Sequence, residues 1–226
     1  TIFTATASSC GNINKASGKI AILGGDPVRS KDLKSWPKRE PKAEDPALSV
    51  LRSGKWYREW GTEVAKFEKM YAELIGTKRA LATASGTTAL EVALHVLGVD
   101  AGDEVIVSPY TFIATYNVVF NAKALPVFAD TDQETFTINP KTIEERINER
   151  TKAILPVHIL GLPADMNSIN AIAKKHDLVV IEDACQAWLA EYDGKKCGTL
   201  GDLACFSFQN SKHLPSGEGG AVTGND

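Results

Sequence analysis

The chain of 226 residues is 43% apolar and carries a formal net charge of −3, so it can bury a substantial core. This weakly acidic balance gives no reason to expect nucleic acid or an acidic membrane surface as a partner. No apolar run of the sequence is long enough to span a bilayer. Its cysteines lack metal-ligand spacing, and we expect reduced, packed thiols in a cytoplasmic protein.

The first segment of the chain, residues 1–19, is rich in small and polar side chains, which predicts a flexible lead. Within it, Ala7-Ser8-Ser9-Cys10 resembles the end of a bacterial lipoprotein signal, whose cysteine is lipidated after cleavage. Export, or anchoring to a membrane through Cys10, is therefore the alternative to a cytoplasmic location.

Alternating strands and helices are predicted along the rest of the chain. Residues 47–52 form a short amphipathic turn, and the prolines before it, including Pro46, exclude a continuous helix there. A long helix is expected over 61–75, where apolar residues recur at helical spacing. Strands are predicted at 79–83, 104–107, 124–129, 153–156, 178–182, 205–208 and 221–223, and helices at 87–97, 112–121, 141–147 and 165–175. Apolar strands joined by helices indicate an α/β fold with a mainly parallel sheet.

A carboxylate and a lysine stand where the chemistry of a pyridoxal phosphate site requires them. Asp183 ends the apolar strand at 178–182, and Ser207 and Lys212 follow further along the chain. A lysine amine can form a Schiff base with the aldehyde of the cofactor, and a carboxylate can pair with its protonated pyridine nitrogen. Taken singly, Asp183 would also suit a helix cap, and Lys212 a solvated surface position.

A second polar segment, Ser85-Gly86-Thr87-Thr88, opens the helix predicted at 87–97. Free backbone N–H groups and the helix dipole attract a phosphate dianion at such a place, and glycine allows its close approach. Serine or threonine before a helix is also an ordinary cap. The segment therefore indicates a phosphate site only in combination with the lysine segment.

These segments, in this order, resemble the DegT–StrS family of sugar aminotransferases, which are fold-type I pyridoxal phosphate enzymes. The resemblance begins near Ser53 and runs through the rest of the chain. Its main motifs are Ala84-Ser85-Gly86-Thr87-Thr88, Ser108-Pro109-Tyr110-Thr111-Phe112, Gly161-Leu162-Pro163-Ala164-Asp165-Met166, Glu182-Asp183-Ala184-Cys185-Gln186-Ala187, Phe206-Ser207-Phe208 with Lys212, and Gly217-Glu218-Gly219-Gly220.

The resemblance implies a three-layer α/β/α architecture with a mixed, mainly parallel sheet. Residues 20–52 would be an N-terminal arm. Residues 53–226 would be the large cofactor-binding domain, incomplete at its C-terminal end, with the small C-terminal domain absent. From this incompleteness we expect weak cofactor binding and little turnover by these 226 residues alone.

The activity that the resemblance implies is transfer of an amino group to a keto sugar, nucleotide-linked as a rule, or to a related cyclic ketone such as a cyclitol. Glutamate or glutamine would be the donor, and a homodimer would share its active sites. A pyridoxal phosphate-dependent sugar dehydratase or lyase is one alternative, and a non-catalytic binding or sensory protein is another. Some relatives that act as dehydratases carry histidine at the position of Lys212, so this lysine favours transamination.

The resemblance also assigns roles to single residues. Lys212 would hold the cofactor and move the substrate proton, and Asp183 would contact the ring nitrogen. The remaining cofactor contacts would be Gly86, Thr87 and Ser207 at the phosphate, Phe112 stacked on the ring and Gln186 near its hydroxyl. From the residues alone, Phe112 could also be a core aromatic at a helix start, and Tyr110 is the alternative for the stacking role.

Several residues beside these motifs carry weaker expectations. Glu182 should point away from the cofactor, because successive strand residues face opposite sides of a sheet. His158 is interpreted as structural. Trp188 stands where many relatives have histidine, and it would either repack the wall or alter the substrate that fits. Trp56 and Trp60 would line a substrate mouth or belong to a packed loop.

Overall fold

The computed structural model describes residues 19–38 and 40–225. Two compact units divide the chain, one ending at Lys38 and the other running from Arg39 to Asp226. In the first, the described backbone forms a 3₁₀ turn at Ala21–Leu23. The lead predicted at 1–19, with Cys10, lies outside the described residues apart from Lys19. The predicted domain boundaries therefore stay predictions.

The second unit contains the alternating helices and strands. The helices are α1 Glu44–Ser53, α2 Glu63–Ile75, α3 Gly86–Val96, α4 Ala114–Asn121, α5 Pro140–Ile143 and α6 Met166–His176. The strands are β1 Arg79–Thr83, β2 Glu104–Val107, β3 Leu125–Phe128, β4 Thr151–Leu155, β5 Val179–Asp183, β6 Glu191–Tyr192, β7 Lys195–Lys196, β8 Leu203–Ser207 and β9 Gly220–Gly224. Within the described ranges, no helix has the length and apolar character needed to cross a bilayer.

Seven of these strands form one sheet in the order β1-β9-β8-β5-β4-β2-β3. Strand β9 runs antiparallel to both of its neighbours, and the other neighbouring pairs are parallel. The mainly parallel mixed sheet predicted from the sequence is thus confirmed. Because β1, β2, β5 and β8 run in the same direction, their carboxyl ends meet at one edge, where α/β proteins place their ligands.

Helices cover both faces of this sheet, which gives the three layers that were predicted. On one face, α3 and α4 pack against alternate strand residues such as Val105, Leu155 and Ile181. On the other face, the intervening strand residues face α6, and further along the sheet the aromatic side chains of Tyr71 and Phe206 join the core. A strand that is buried on both faces has consecutive apolar residues. Strand β2 shows this, because its residues Val105, Ile106 and Val107 are all buried.

Local capping explains where the helices begin and end. The Ser85 hydroxyl accepts a hydrogen bond from Thr88 N and starts α3. Asn139 caps α5, whose first residue is Pro140, and Asp165 caps α6. Gly76, with φ of +100°, ends α2 in the left-handed conformation that favours glycine.

Several details differ from the predicted elements. The helix predicted at 141–147 is α-helical only as far as Ile143 and continues as a 3₁₀ turn over Glu144–Arg146. Helix α1 begins at Glu44 rather than 47, because Pro46 lies in its first turn, where no backbone donor is needed. Helix α4 begins at Ala114, which leaves Phe112 in the preceding loop. The short hairpin β6–β7 was not predicted. Its turn residues Asp193 and Gly194 both have positive φ, as an Asp-Gly hairpin turn requires.

Candidate active site

A cavity of about 330 Å³ opens at the carboxyl edge of the sheet. It lies among the ends of β5 and β8, the amino ends of α3 and α4, and the loop after β8. The structure brings all the predicted cofactor contacts to its wall, namely Gly86, Thr87, Phe112, Asp183, Gln186, Ser207 and Lys212. Their individual roles stay predictions.

One end of the cavity is built to receive an anion. Gly86 and Thr87 begin α3, so no carbonyl of that helix can accept from their N–H groups. The Ser207 hydroxyl adjoins them. An added Cβ on Gly86 would lie 2.7 Å from Ser207 Cβ and 2.9 Å from Cys185 Sγ, so glycine is what lets the helix start this close to β8.

A buried carboxylate also lines the cavity. Asp183 ends β5 and is only 5% exposed. Its Oδ2 accepts a hydrogen bond from the Thr115 hydroxyl at 2.8 Å, and its Oδ1 accepts one from Cys185 N at 3.2 Å. Two accepted bonds leave part of the capacity of the carboxylate for a ligand donor.

The lysine lies in a loop whose shape Gln209 determines. The Gln209 side-chain oxygen accepts hydrogen bonds from Ser211 N and Ser211 Oγ, both at 2.7 Å, and its backbone oxygen accepts from Lys212 N at 2.8 Å. The half-buried Lys212 thereby reaches the cavity, with Nζ 6.0 Å from the centre of the Phe112 ring. Phe112 itself is 63% exposed, so it is not a core aromatic.

The orientation of the Gln186 amide follows from its hydrogen bond. Its Oε1 accepts from Leu160 N at 2.9 Å. Because a backbone N–H bonds only to an acceptor, the amide oxygen must face Leu160, and the NH₂ group is left to donate elsewhere. Leu160 has a left-handed backbone, φ +53°, next to Gly161, so Gln186 also holds a strained turn at the cavity wall.

The thiol of Cys185, next to Asp183, is unreactive near neutral pH. Burial, followed by the charge of Asp183, raises the pKa of Cys185 well above its usual range. The thiol is therefore neutral near pH 7 and a weak nucleophile. Cys185 fills space under the start of α3, and the amine of Lys212 is the better candidate for covalent chemistry at this cavity.

Glu182 lies on the opposite face of β5 from the cavity, as predicted. It is completely buried, and its oxygens accept hydrogen bonds from His158 Nε2 and from the backbone N–H groups of Gly198, Leu200 and Gly201. His158 Nδ1 accepts from Ala164 N, which places the ring proton on Nε2. The structural interpretation of His158 is thus confirmed.

The aromatic residues singled out in the sequence have different surroundings. Trp188 packs against the core cluster that contains Tyr71 and Phe206. Its effect on the cavity wall or on the substrate that fits stays a prediction. Trp56 and Trp60 are largely exposed, which shows that they are not packed loop residues. A role for them at a substrate mouth stays a prediction.

Sequence reasoning missed other cavity residues, chiefly Thr115, Cys185, Gln209 and Glu218. Thr115 had a usable signal, because it lies in the first turn of the helix that follows the carboxyl end of β2, where α/β proteins place functional side chains. The contact of Thr115 with Asp183 spans 68 residues of chain and carries no local signal.

The cavity residues fit pyridoxal phosphate. The glycine-lined helix terminus and the Ser207 hydroxyl suit its phosphate, and Asp183 suits a protonated ring nitrogen. Lys212 supplies an amine for its aldehyde, and the exposed ring face of Phe112 suits stacking. A cavity of about 330 Å³ is also within the range of small cofactor sites.

Known proteins resemble the chain over most of its length. It is 41% identical over 212 residues to an L-glutamine:2-deoxy-scyllo-inosose aminotransferase of Streptomyces lividus, across 92% of this chain and 50% of the relative. It is 47% identical over 171 residues to a GDP-perosamine synthase of Caulobacter vibrioides, across 76% of this chain and 46% of the relative. The chain thus spans about half the length of the curated relatives it matches.

A solved structure also resembles this chain over most of its length. An aminotransferase from Psychrobacter cryohalolentis superimposes with a TM-score of 0.84 at 43% identity, over 86% of this chain and 50% of that one. Residues 38–226 match one protein family throughout. The chain belongs to the DegT/DnrJ/EryC1/StrS aminotransferase family.

Proposed function

We propose that the protein uses pyridoxal phosphate to transfer an amino group from L-glutamine or L-glutamate to the ketone of a sugar or cyclitol. The observation that carries this proposal is the meeting of Lys212, Asp183 and the start of α3 at Gly86 around one cavity. An amine, a buried carboxylate and an anion-binding helix terminus are the three groups that hold this cofactor at its aldehyde, ring nitrogen and phosphate.

When bound, pyridoxal phosphate carries the amino group between the two substrates and accepts the electrons released as the substrate C–H bond breaks. The amides of Gly86 and Thr87 and the Ser207 hydroxyl would hold its phosphate. Phe112 would cover one face of the ring. The NH₂ group of Gln186, which the bond from Leu160 N to Oε1 leaves free to donate, would serve the ring hydroxyl oxygen.

Lys212 has two tasks in this proposal. Its amine would hold the cofactor aldehyde covalently. Once free, the same amine would hold and move the substrate proton at Nζ as a general base and acid. The hydrogen bonds of Gln209 to Ser211 and to Lys212 N shape the loop that carries this amine to the cavity.

The substrate class rests on the relatives and not on the cavity. Relatives named for L-glutamine, for 2-deoxy-scyllo-inosose and for GDP-perosamine support an amino-acid donor and a cyclic ketone, free or nucleotide-linked. Their names do not favour the dehydratase, lyase or non-catalytic alternatives. Lys212, where histidine marks the dehydratases, supports the same choice.

We also infer that two copies share the site, in the cytoplasm. Phe112, which lines the cavity, and its chain neighbours Tyr110 and Ile113 expose large apolar surfaces, which a second copy could cover. The molar mass of the protein, measured by light scattering as it elutes from a size-exclusion column, tests whether two copies associate. A monomer at micromolar concentration would contradict it.

The central test is to incubate the protein with pyridoxal phosphate, reduce it with sodium borohydride and map the labelled peptide by mass spectrometry. We expect a single label on Lys212 and none in Lys212→Arg, which keeps the charge but cannot be trapped. The surface lysines, Lys195 among them, serve as internal controls. A folded protein that carries no label, or is labelled elsewhere, would refute the proposal.

A further inference from the structure

Two threonine hydroxyls form a chain that ends on Asp183. Thr111 Oγ1 lies 2.8 Å from Thr115 Oγ1, which lies 2.8 Å from Asp183 Oδ2. Thr115 is 1% exposed, so its hydroxyl has no access to bulk water. Thr111 lies in the loop before α4, and Thr115 lies in the first turn of that helix, so the loop brings the first hydroxyl to the second.

The direction of the hydrogens in this chain is fixed by the carboxylate. An ionised Asp183 only accepts, so the Thr115 hydroxyl must donate to it. The oxygen of Thr115 is then left to accept from Thr111. Each donated bond polarises the next, so the two hydroxyls act as one strengthened donor aimed at Asp183.

We propose that Thr115 is a positioning residue for amino transfer, whose hydroxyl, held by Thr111, keeps Asp183 charged and oriented so that the proton stays on the cofactor ring nitrogen. This inference rests on the proposed function. Hydrogen bonds to the charged form of an acid favour that form. Without the Thr115 donor, Asp183 Oδ2 would lose its hydrogen-bond partner, and Cys185 N would be left to hold the carboxylate.

The location of this proton decides how well the ring accepts electrons. A protonated ring nitrogen draws electrons from the breaking C–H bond, and a neutral one does so weakly. Thr115 therefore acts through Asp183 and not by touching the substrate. Cys185 N, the other donor to Asp183, is a backbone group and cannot be removed by substitution, which leaves Thr115 as the adjustable partner.

The test is the chemical shift of the ring nitrogen in protein loaded with ¹⁵N-labelled pyridoxal phosphate, together with the affinity for the cofactor. Thr115→Val removes the hydroxyl and keeps the shape. We expect its signal to move toward that of unprotonated pyridine, with affinity about tenfold weaker. Thr115→Ser restores the hydroxyl and should return both values to those of the wild type. Thr111→Val should move the signal in the same direction by less.

Thr223→Val is the matched control, because Thr223 is equally buried but donates to Gly198 O, away from the cavity. It should leave the nitrogen signal unchanged. An unshifted signal in Thr115→Val, or equal impairment of Thr115→Ser, would overturn the proposal. If Thr115→Val does not fold, the ring-nitrogen signal of Thr111→Val takes its place, and an unshifted signal there would overturn the proposal. Wild-type protein that binds no cofactor would instead refute the proposed function.

Discussion

Two neighbouring carboxylates on β5 have opposite surroundings. Glu182 accepts four hydrogen bonds, from His158 and from three backbone N–H groups, which uses the full capacity of a carboxylate. Asp183 accepts two, from Thr115 and from Cys185 N, and it faces the cavity. The alternation of the strand thus separates a charge that holds the fold from a charge that is available to a ligand.

The largest effect is expected when the first of these charges is removed. Glu182→Gln keeps the volume but turns an NH₂ group toward backbone N–H donors that then lack an acceptor. Breaking such a buried network typically costs about 3–5 kcal/mol. Urea unfolding should show a loss of this size. A loss below about 1 kcal/mol would contradict the structural role given to Glu182.

The matched substitution at the next residue, Asp183→Asn, should weaken cofactor binding more than it lowers the free energy of unfolding. In Asp183→Asn the remaining oxygen still accepts from Thr115, so the free energy of unfolding should fall by only about 1 kcal/mol. The charge that faces the cofactor is lost, and its affinity should fall about 10- to 100-fold. Fluorescence titration with pyridoxal phosphate measures this. If the two variants lose stability equally, the distinction between the two faces is wrong.

The sequence was sufficient for much of this fold, because apolar strands and capped helices carry local signals. The strand that ends at Asp183 was predicted within one residue at each end. The hairpin β6–β7 was missed, although Asp193-Gly194 is a hairpin signal, because strands of two polar residues show no periodicity. The start of α1 was missed because a proline in the first turn resembles a helix breaker.

The site was predictable only as far as its motifs extend. Lys212, Asp183 and Gly86 lie within recognisable segments, and the structure brings them together. The Thr115–Asp183 bond and the four donors to Glu182 are tertiary contacts between segments far apart in the chain. Only the relative position of strands and loops creates them, so no single segment encodes them.

A smaller effect is expected at the helix start that faces the same cavity as Asp183. Gly86→Ala would place a methyl group 2.7 Å from Ser207 Cβ, and overpacking of this kind costs about 1–3 kcal/mol. Because α3 must shift, affinity for phosphate and for pyridoxal phosphate should also fall. Thr87→Ala, the next residue, adds no atoms and is the control for stability. Equal stability of Gly86→Ala and the wild type would show that the close approach is unimportant.

The smallest effect concerns a thiol on the Glu182 side of the sheet. Burial, and then the charge of Glu182, raises the pKa of Cys197 to about 12. In the unfolded chain the thiol of Cys197 ionises at about pH 8.5. Above that pH the unfolded chain has therefore lost a proton that the folded chain keeps. The stability from Cys197 is therefore complete below about pH 8.5 and declines as pH rises, by up to about 1.4 kcal/mol per pH unit. Under reducing conditions, Cys197→Ala should show a shallower alkaline decline in unfolding free energy than the wild type. Identical slopes between pH 8.5 and 10 would mean that the thiol ionises as readily in the folded protein, and that the closed surroundings assigned to Glu182 are open to water.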